Sequence, residues 1–313
     1  MKRYTLIFFL FCLTILNFSC KQEGVEIRGR HLYADGERFR INGICYSRGG
    51  AGSYAEDIAL LKEANINTIR TYTVINDIDE LNAFEDAEIK IIMHLNENDF
   101  EDYVTEFKDH PAILMWEFGN EFNYHPEWFE NDINNWYKKL EACATRVKQL
   151  DPSRPVTSAH GEVPAIEVLK ACPSVDIWGM NLYRYDNNVP AIYEFAEHSD
   201  KAMYISEAGA DSYNKKKNKI DEESQALANK KIVRGISEEF NLCVGVTLFE
   251  FCDEWWKAGN DSIQNVGISA PNSSGVPYDG SADEEYWGIV RRDRTKKLTF
   301  NVVKDLYSNL QNN

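Results

Sequence analysis

Short apolar runs alternate with amphipathic stretches along most of this 313-residue chain. Eight runs stand out, at 41–47, 66–74, 89–96, 112–121, 155–160, 175–183, 202–209 and 244–255. Each is nearly continuous in apolar residues, the pattern of a strand buried on both faces. Between them the period changes to that of a helix. "YAEDIALLKEANI" sets Ile58, Leu61 and Ala64 on one face. "NNWYKKLEACATRVKQLD" places Trp136, Leu140, Cys143 or Ala144, Val147 and Leu150 at spacings of three and four. "SQALANKKIVRGISEEF" and "TFNVVKDLYSNL" repeat the pattern. Eight strands, each followed by a helix, predict an α/β protein with a single closed (β/α)8 barrel over residues 26–313. The alternative is an open doubly wound sheet. It is weakened because no glycine-rich phosphate fingerprint follows the first strand.

Two segments elaborate this TIM-barrel plan. "VEIRGRHLYADGERFRINGI" carries Asp35-Gly36 between alternating stretches and predicts an N-terminal β-hairpin capping the barrel bottom. Residues 253–295 are polar, follow the eighth strand and end in "EEYWGIVRRDR". A long loop there belongs to the C-terminal face, where barrel active sites lie.

The first residues read as a leader. Lys2 and Arg3 precede "YTLIFFLFCLTILNF" and then "SCKQEG", a charged region, an apolar region and a cleavage site. Cys20 after Ser19 resembles the lipidated first residue of a bacterial lipoprotein of the Bacteroidetes type, although Asn17 and Phe18 depart from the tightest pattern. The expectation is a signal peptide over 1–19, a tether over 20–25, and a lipid-anchored protein of the cell envelope or surface. A plain secretory signal leading to a secreted or periplasmic protein is the alternative.

Net charge is −16, which disfavours nucleic acid and anionic lipid surfaces as partners. Without the leader and Cys20, five cysteines remain: Cys45, Cys143, Cys172, Cys243 and Cys252. None forms a CxxC pair, so no structural zinc is expected. An odd number cannot pair completely, so buried free thiols are expected, with room for one disulfide. No cofactor or metal is implied, and a monomer is expected.

The candidate chemistry starts at "WEFGNEFNY", where a buried run breaks into Gly119, Asn120 and Glu121. Glu121 ends the fourth strand and Glu207, in "YISEAG", ends the seventh. In an eight-stranded barrel those ends face one another across the mouth. Two carboxyl groups placed there suit cleavage of a glycosidic bond, one protonating the leaving oxygen and one attacking the anomeric carbon. A spacing of roughly 5–5.5 Å corresponds to retention through a covalent intermediate. Either glutamate alone is a weak signal, since Asn-Glu also caps helices. Supports stand at other strand ends. Arg70 and Tyr183 are placed to hydrogen-bond the nucleophile, and Trp255 or Trp256 to offer a flat ring to a sugar. His94 and His160 end strands three and five on the same face and are candidate sugar contacts. Glu250, within strand eight, is either a partner of Arg70 or a sugar contact. Tyr46, Tyr72 and Trp178 read as core or wall, with Tyr72 the one lining the cleft. Trp287 reads as an anchor for the long loop.

This ordered set resembles the retaining β-glycosidases of clan A, which have (β/α)8 barrels. "GNE" is similar to the clan's acid/base motif. The resemblance implies acid/base catalysis by Glu121 and a sugar 2-hydroxyl contact by Asn120. "SEAG" is similar to the nucleophile motif and implies that role for Glu207. "LLKEANINTIRTY", "WEFGNE" and "EYWGIVRRDR" resemble the catalytic barrel of glycoside hydrolase family 2. The β-sandwich domains usual there have no counterpart in these residues, and an open, endo-type groove is the expectation. "DIALLKEANINTIRTYTV", "VDIWGMNLY" and "LFEFCDE" are also similar to fungal β-1,3-glucanosyltransferases of family 72. The implied activity is a retaining β-glycoside hydrolase on an oligo- or polysaccharide, with β-glucan favoured. A transglycosylase on the same site and a non-catalytic surface glycan-binding lipoprotein are the alternatives. An aldolase or metal-dependent barrel lacks the strand-end lysine or ligand cluster it would need.

Overall fold

The computed structural model describes residues 24–50, 52–185, 187–267 and 279–311. The leader over 1–19 and Cys20 lie outside the described residues. Three short antiparallel strands open the fold: β1 (Val25–Arg28), β2 (His31–Ala34) and β3 (Glu37–Arg38). Asp35 and Gly36 both have positive φ, 51° and 79°, as a two-residue hairpin turn requires. A further turn at Gly29-Arg30 sets Arg28 opposite His31. The expected hairpin is therefore a three-stranded sheet, and it begins inside the span expected to be tether.

The barrel follows. Its strands are β4 (Ile41–Tyr46), β5 (Thr68–Thr71), β6 (Lys90–Leu95), β7 (Ile113–Asn120), β8 (Val156–Gly161), β9 (Ile177–Asn181) and β10 (Ala202–Ala208). A two-stranded hairpin, β11 (Tyr213–Asn214) and β12 (Lys219–Ile220), precedes the last barrel strand, β13 (Gly245–Leu248). All neighbours run parallel, and β13 pairs with both β10 and β4, which closes the barrel. The crossover helices are α1 (Tyr54–Glu63), α2 (Ile78–Asp86), α3 (Phe100–Phe107), α4 (Ile133–Leu150), α5 (Ile166–Ala171), α6 (Val189–His198), α7 (Glu222–Glu238) and α8 (Leu298–Gln311). Several begin at side-chain caps. Ser53 accepts from Glu56 N, Asp132 from Asn134 N and Asp221 from Ser224 N. Among the described residues no helix is long and apolar enough to cross a membrane.

Strand alternation sorts the side chains into two populations. One faces the helices: Ile69, Met93, Trp116, Trp178 and Ile205 pack in a single cluster with Leu61, Phe84, Leu140, Ile192 and Phe300. Each such side chain contributes ~1.5–3 kcal/mol by leaving water. The other faces the barrel axis and includes Arg70, Glu117 and Tyr204, all fully buried. At the bottom Leu32 and Ala34 of β2 pack on Ile41, Ile177, Ala202 and Val244, at or beside the first residues of their strands. The opening sheet thus plugs the bottom and leaves the top as the open end.

Candidate active site

Glu121 is the first residue after β7 and has φ 55° and ψ 23°. A left-handed conformation is costly for a residue with a Cβ. Two hydrogen bonds hold it: Glu121 N donates to Ala159 O, and Tyr124 N donates to Glu121 O, each at 2.9 Å. Gly119 has φ 72°, and a Cβ there would meet the Trp136 ring at 2.4 Å. The glycine therefore lets the end of β7 lie against α4 and aim Glu121 at the mouth.

Glu207, the penultimate residue of β10, accepts three hydrogen bonds. Arg70 Nη1 and Tyr72 Oη reach Oε1 at 2.8 Å, and Tyr183 Oη reaches Oε2 at 2.7 Å. Burial pushes the phenols of Tyr72 and Tyr183 well up, so both remain donors. Arg70 Nη2 also donates to Asn120 Oδ1 at 2.7 Å, and Asn181 Nδ2 donates to the same oxygen at 3.1 Å. Below the mouth, Arg70 Nε lies 2.9 Å from both oxygens of Glu117, and Tyr204 Oη donates to Glu117 at 2.8 Å.

The two mouth carboxyl groups have different surroundings. Burial, and then the charge of Glu207, push the Glu121 carboxyl up to about 7. Glu207 instead sits among cationic and hydroxyl donors. Both line one cavity of about 950 Å³ at the C-terminal ends of the strands, together with Asn120, Tyr72, Tyr183 and Trp256.

The remaining expected contacts divide. Trp256 is half exposed on the cavity wall, whereas Trp255 turns away and stacks under Arg292, with 5.0 Å from Cζ to the ring centroid. His94 lies inside, 3.7 Å from Glu117, and lines a second cavity rather than the one holding the glutamates. His160 does not reach either cavity. Its ring lies 3.2 Å from Tyr137 Oη of α4 and 3.1 Å from Glu162 O, and burial pushes its titration below the ordinary histidine value. Glu250 pairs with Lys257 at 2.7 Å and not with Arg70. Trp287 is buried edge-on to Tyr183 and Phe249 and forms part of the cavity floor as well as anchoring its loop. Glu117, Tyr204, Asn181, Glu254, Lys257 and Glu284 were not singled out from the sequence. For Glu117 the signal was present: it is the one charge inside the apolar run 113–119. The five cysteines of the described residues are all buried and free. No group of three or more His, Cys, Asp or Glu among the described residues can hold a metal ion.

Residues 53–312 match the family described as glycosyl hydrolases family 2, TIM barrel domain. The chain belongs to this family. A solved family 2 β-galacturonidase from Eisenbergiella tayi superposes with a TM-score of 0.70 at 20% identity, covering 91% of this chain and 54% of that one. A β-glucuronidase from Paenibacillus borealis is 22% identical over 243 residues, 60% of this chain and 39% of that protein. A 1,3-β-glucanosyltransferase from Aspergillus fumigatus is 35% identical over 85 residues, 23% of this chain and 19% of that protein. This family 2 barrel thus spans about half of the solved relative's length and less of the two curated ones.

Proposed function

We propose that this family 2 barrel is a retaining β-glycoside hydrolase that works by double displacement, with Glu207 as nucleophile and Glu121 as acid/base. The observation that carries the reading is the split between two carboxyl groups of one cavity. One is raised to about 7 and holds a proton near neutrality. The other accepts three hydrogen bonds that fix its orientation and direct it into the cavity. Carboxyl groups whose surroundings diverge in this way suit the acid and nucleophile parts of glycoside cleavage. In the first step Glu207 bonds to the anomeric carbon as the leaving oxygen takes the Glu121 proton. In the second, Glu121 takes a proton from water, whose oxygen displaces Glu207. Asn120, fixed by Arg70 and Asn181, is placed to contact a sugar 2-hydroxyl. No metal or cofactor enters these steps.

The favoured substrate is a β-glucan. The likeness to the A. fumigatus glucanosyltransferase supports it, although that likeness covers a short part of the chain. The names of the glucuronidase and galacturonidase relatives point instead to uronides. The test is product analysis of residues 21–313 with β-glucans, β-mannans, β-galactans and aryl β-glucuronides. Shorter neutral products are expected. Products longer than the starting oligosaccharide would assign transglycosylation instead. Binding without any product would move the protein to a glycan-binding role. An envelope tether through Cys20 is part of the same proposal. It predicts that labelling by a palmitate analogue is lost in Cys20→Ala.

A further inference from the structure

The second cavity, about 660 Å³, opens beside the first and shares Tyr72, Thr73, Val74 and Asn76 with it. The first alone fills the upper part of the ~300–1,000 Å³ range usual for one small ligand. A single terminal sugar over Glu207 leaves the second cavity unused. Its far wall is α3 and the residue after Glu121: Asp102 and Glu106 lie four apart on one helix face, and Phe122 follows the acid/base. Beyond Phe122 stands Trp128, edge-to-face at 5.3 Å, more than half exposed and stacked on His125 at 3.9 Å. An exposed, oriented indole at the end of a polar groove suits the C–H face of a pyranose.

Charge along both cavities narrows the ligand. In the first, Arg48 is taken by Glu80 at 3.3 Å, and Lys257 by Glu250 at 2.7 Å and Glu254 at 3.1 Å. Glu284 stands on the same wall with no hydrogen-bond or ion-pair partner among the described residues. The second cavity is lined by Glu97, Asp99, Asp102 and Glu106, and by no lysine or arginine among the described residues. A sugar carboxylate entering either cavity would lose water and find no unpaired lysine or arginine among the described residues, while hydroxyl groups would find acceptors.

We propose that the cleft continues from the two glutamates into the second cavity, which binds further uncharged sugar units of the substrate chain. The substrate is then a neutral β-linked oligo- or polysaccharide and not a terminal uronide. This rests on the glycosidase reading for turnover but not for binding, and the test separates the two.

The kcat/KM of residues 21–313 is measured on neutral β-gluco-, β-manno- and β-galacto-oligosaccharides of two to six units, and on aryl β-glucosides and β-glucuronides. Binding of the same oligosaccharides to Glu207→Gln is measured by calorimetry. Wild type is expected to gain at least tenfold in kcat/KM, and Glu207→Gln at least tenfold in affinity, from the shortest to the longest of the preferred series. Asp102→Met/Glu106→Met, which fills the second cavity from a helix surface without adding a flat ring and removes two hydroxyl acceptors, should reduce that gain to below twofold. The same variant should leave aryl glycoside cleavage within about threefold of wild type. A flat length series, a gain that survives in the filled variant, or faster cleavage of the aryl glucuronide than of every neutral substrate would overturn the proposal. Length-dependent binding without turnover would uphold the cleft and remove the glycosidase reading alone.

Discussion

Arg70 and Glu117 form an ion pair inside the barrel with no solvent contact on either side chain, Nε 2.9 Å from both carboxylate oxygens and Nη2 2.8 Å from one. Burial alone would raise the Glu117 carboxyl, but the guanidinium beside it holds it below its ordinary value. Nη1 extends upward to Glu207, and Nη2 also donates to Asn120. One side chain thus ties the barrel interior to the mouth. Arg70→Met would leave Glu117 charged and unpaired, and stability should fall by ~3–5 kcal/mol in denaturant titration. Adding Glu117→Gln should recover at least about half of that loss, because the stranded charge is gone. Turnover should stay at least ~100-fold down, since Glu207 and Asn120 still lack the cationic donor among their partners. A double variant that regained activity would show that Arg70 only supports the fold.

That pair also marks the limit of what the sequence disclosed. The eight apolar runs and their helices were legible because burial on both faces leaves a continuous signal. Both glutamates were legible because each ends such a run. Partners were harder. Arg70 and Glu117 are 47 residues apart, and only strand order and register bring them together. Glu250 was an equally plausible partner by composition, yet it faces Lys257 seven residues on. His160 failed for a different reason. Consecutive strand residues point to opposite sides, so one step of parity decides between barrel mouth and helix layer. His160 took the helix side, against Tyr137. The neighbours Trp255 and Trp256 divide in the same way within one turn of 3₁₀ helix.

The Glu121 carboxyl, raised to about 7, makes a signed prediction about pH. In the proposed role of general acid it must carry a proton, so kcat/KM on unactivated glycosides should fall above about pH 7. Glu207→Gln removes the neighbouring charge, and the Glu121 titration followed by carboxyl NMR should move down toward 4.5. The folded value lies above the unfolded one. The ionised carboxyl therefore burdens the fold above about 7 and not below about 4.5. Glu121→Gln should raise Tm relative to wild type by ~2–4 °C at pH 8.5 and by little at pH 4.5. An alkaline limb unmoved from that of Glu121→Gln would remove Glu121 as its origin.

The thiols give a check on packing that is independent of catalysis. Burial pushes Cys45, Cys172 and Cys243 up to about 12 and Cys143 up to about 11. Reaction with a disulfide reagent needs both thiolate and access. Folded protein covering residues 21–313 should therefore expose fewer than about one reactive thiol at pH 8 over minutes. In denaturant without reductant all five should react. Three reactive thiols instead would mean one disulfide, contrary to the free side chains seen here.

The roles proposed for the two glutamates are separable by leaving group. Glu207→Gln cannot form a glycosyl ester, because an amide is a poor nucleophile, so every substrate should lose at least ~10⁴-fold. In the first step Glu121→Ala removes the proton that the proposed acid delivers to the departing oxygen. A dinitrophenolate leaves readily without it, so the first step on a dinitrophenyl glycoside should stay within about tenfold in the pre-steady state. Natural oligosaccharides, whose alkoxides leave poorly, should lose about 10²–10⁴-fold. Deglycosylation of Glu121→Ala should also slow, because the same carboxylate activates water, and added azide should restore turnover as a β-glycosyl azide. Equal losses on both substrate types, with no azide product, would mean that Glu121 shapes the site without transferring a proton.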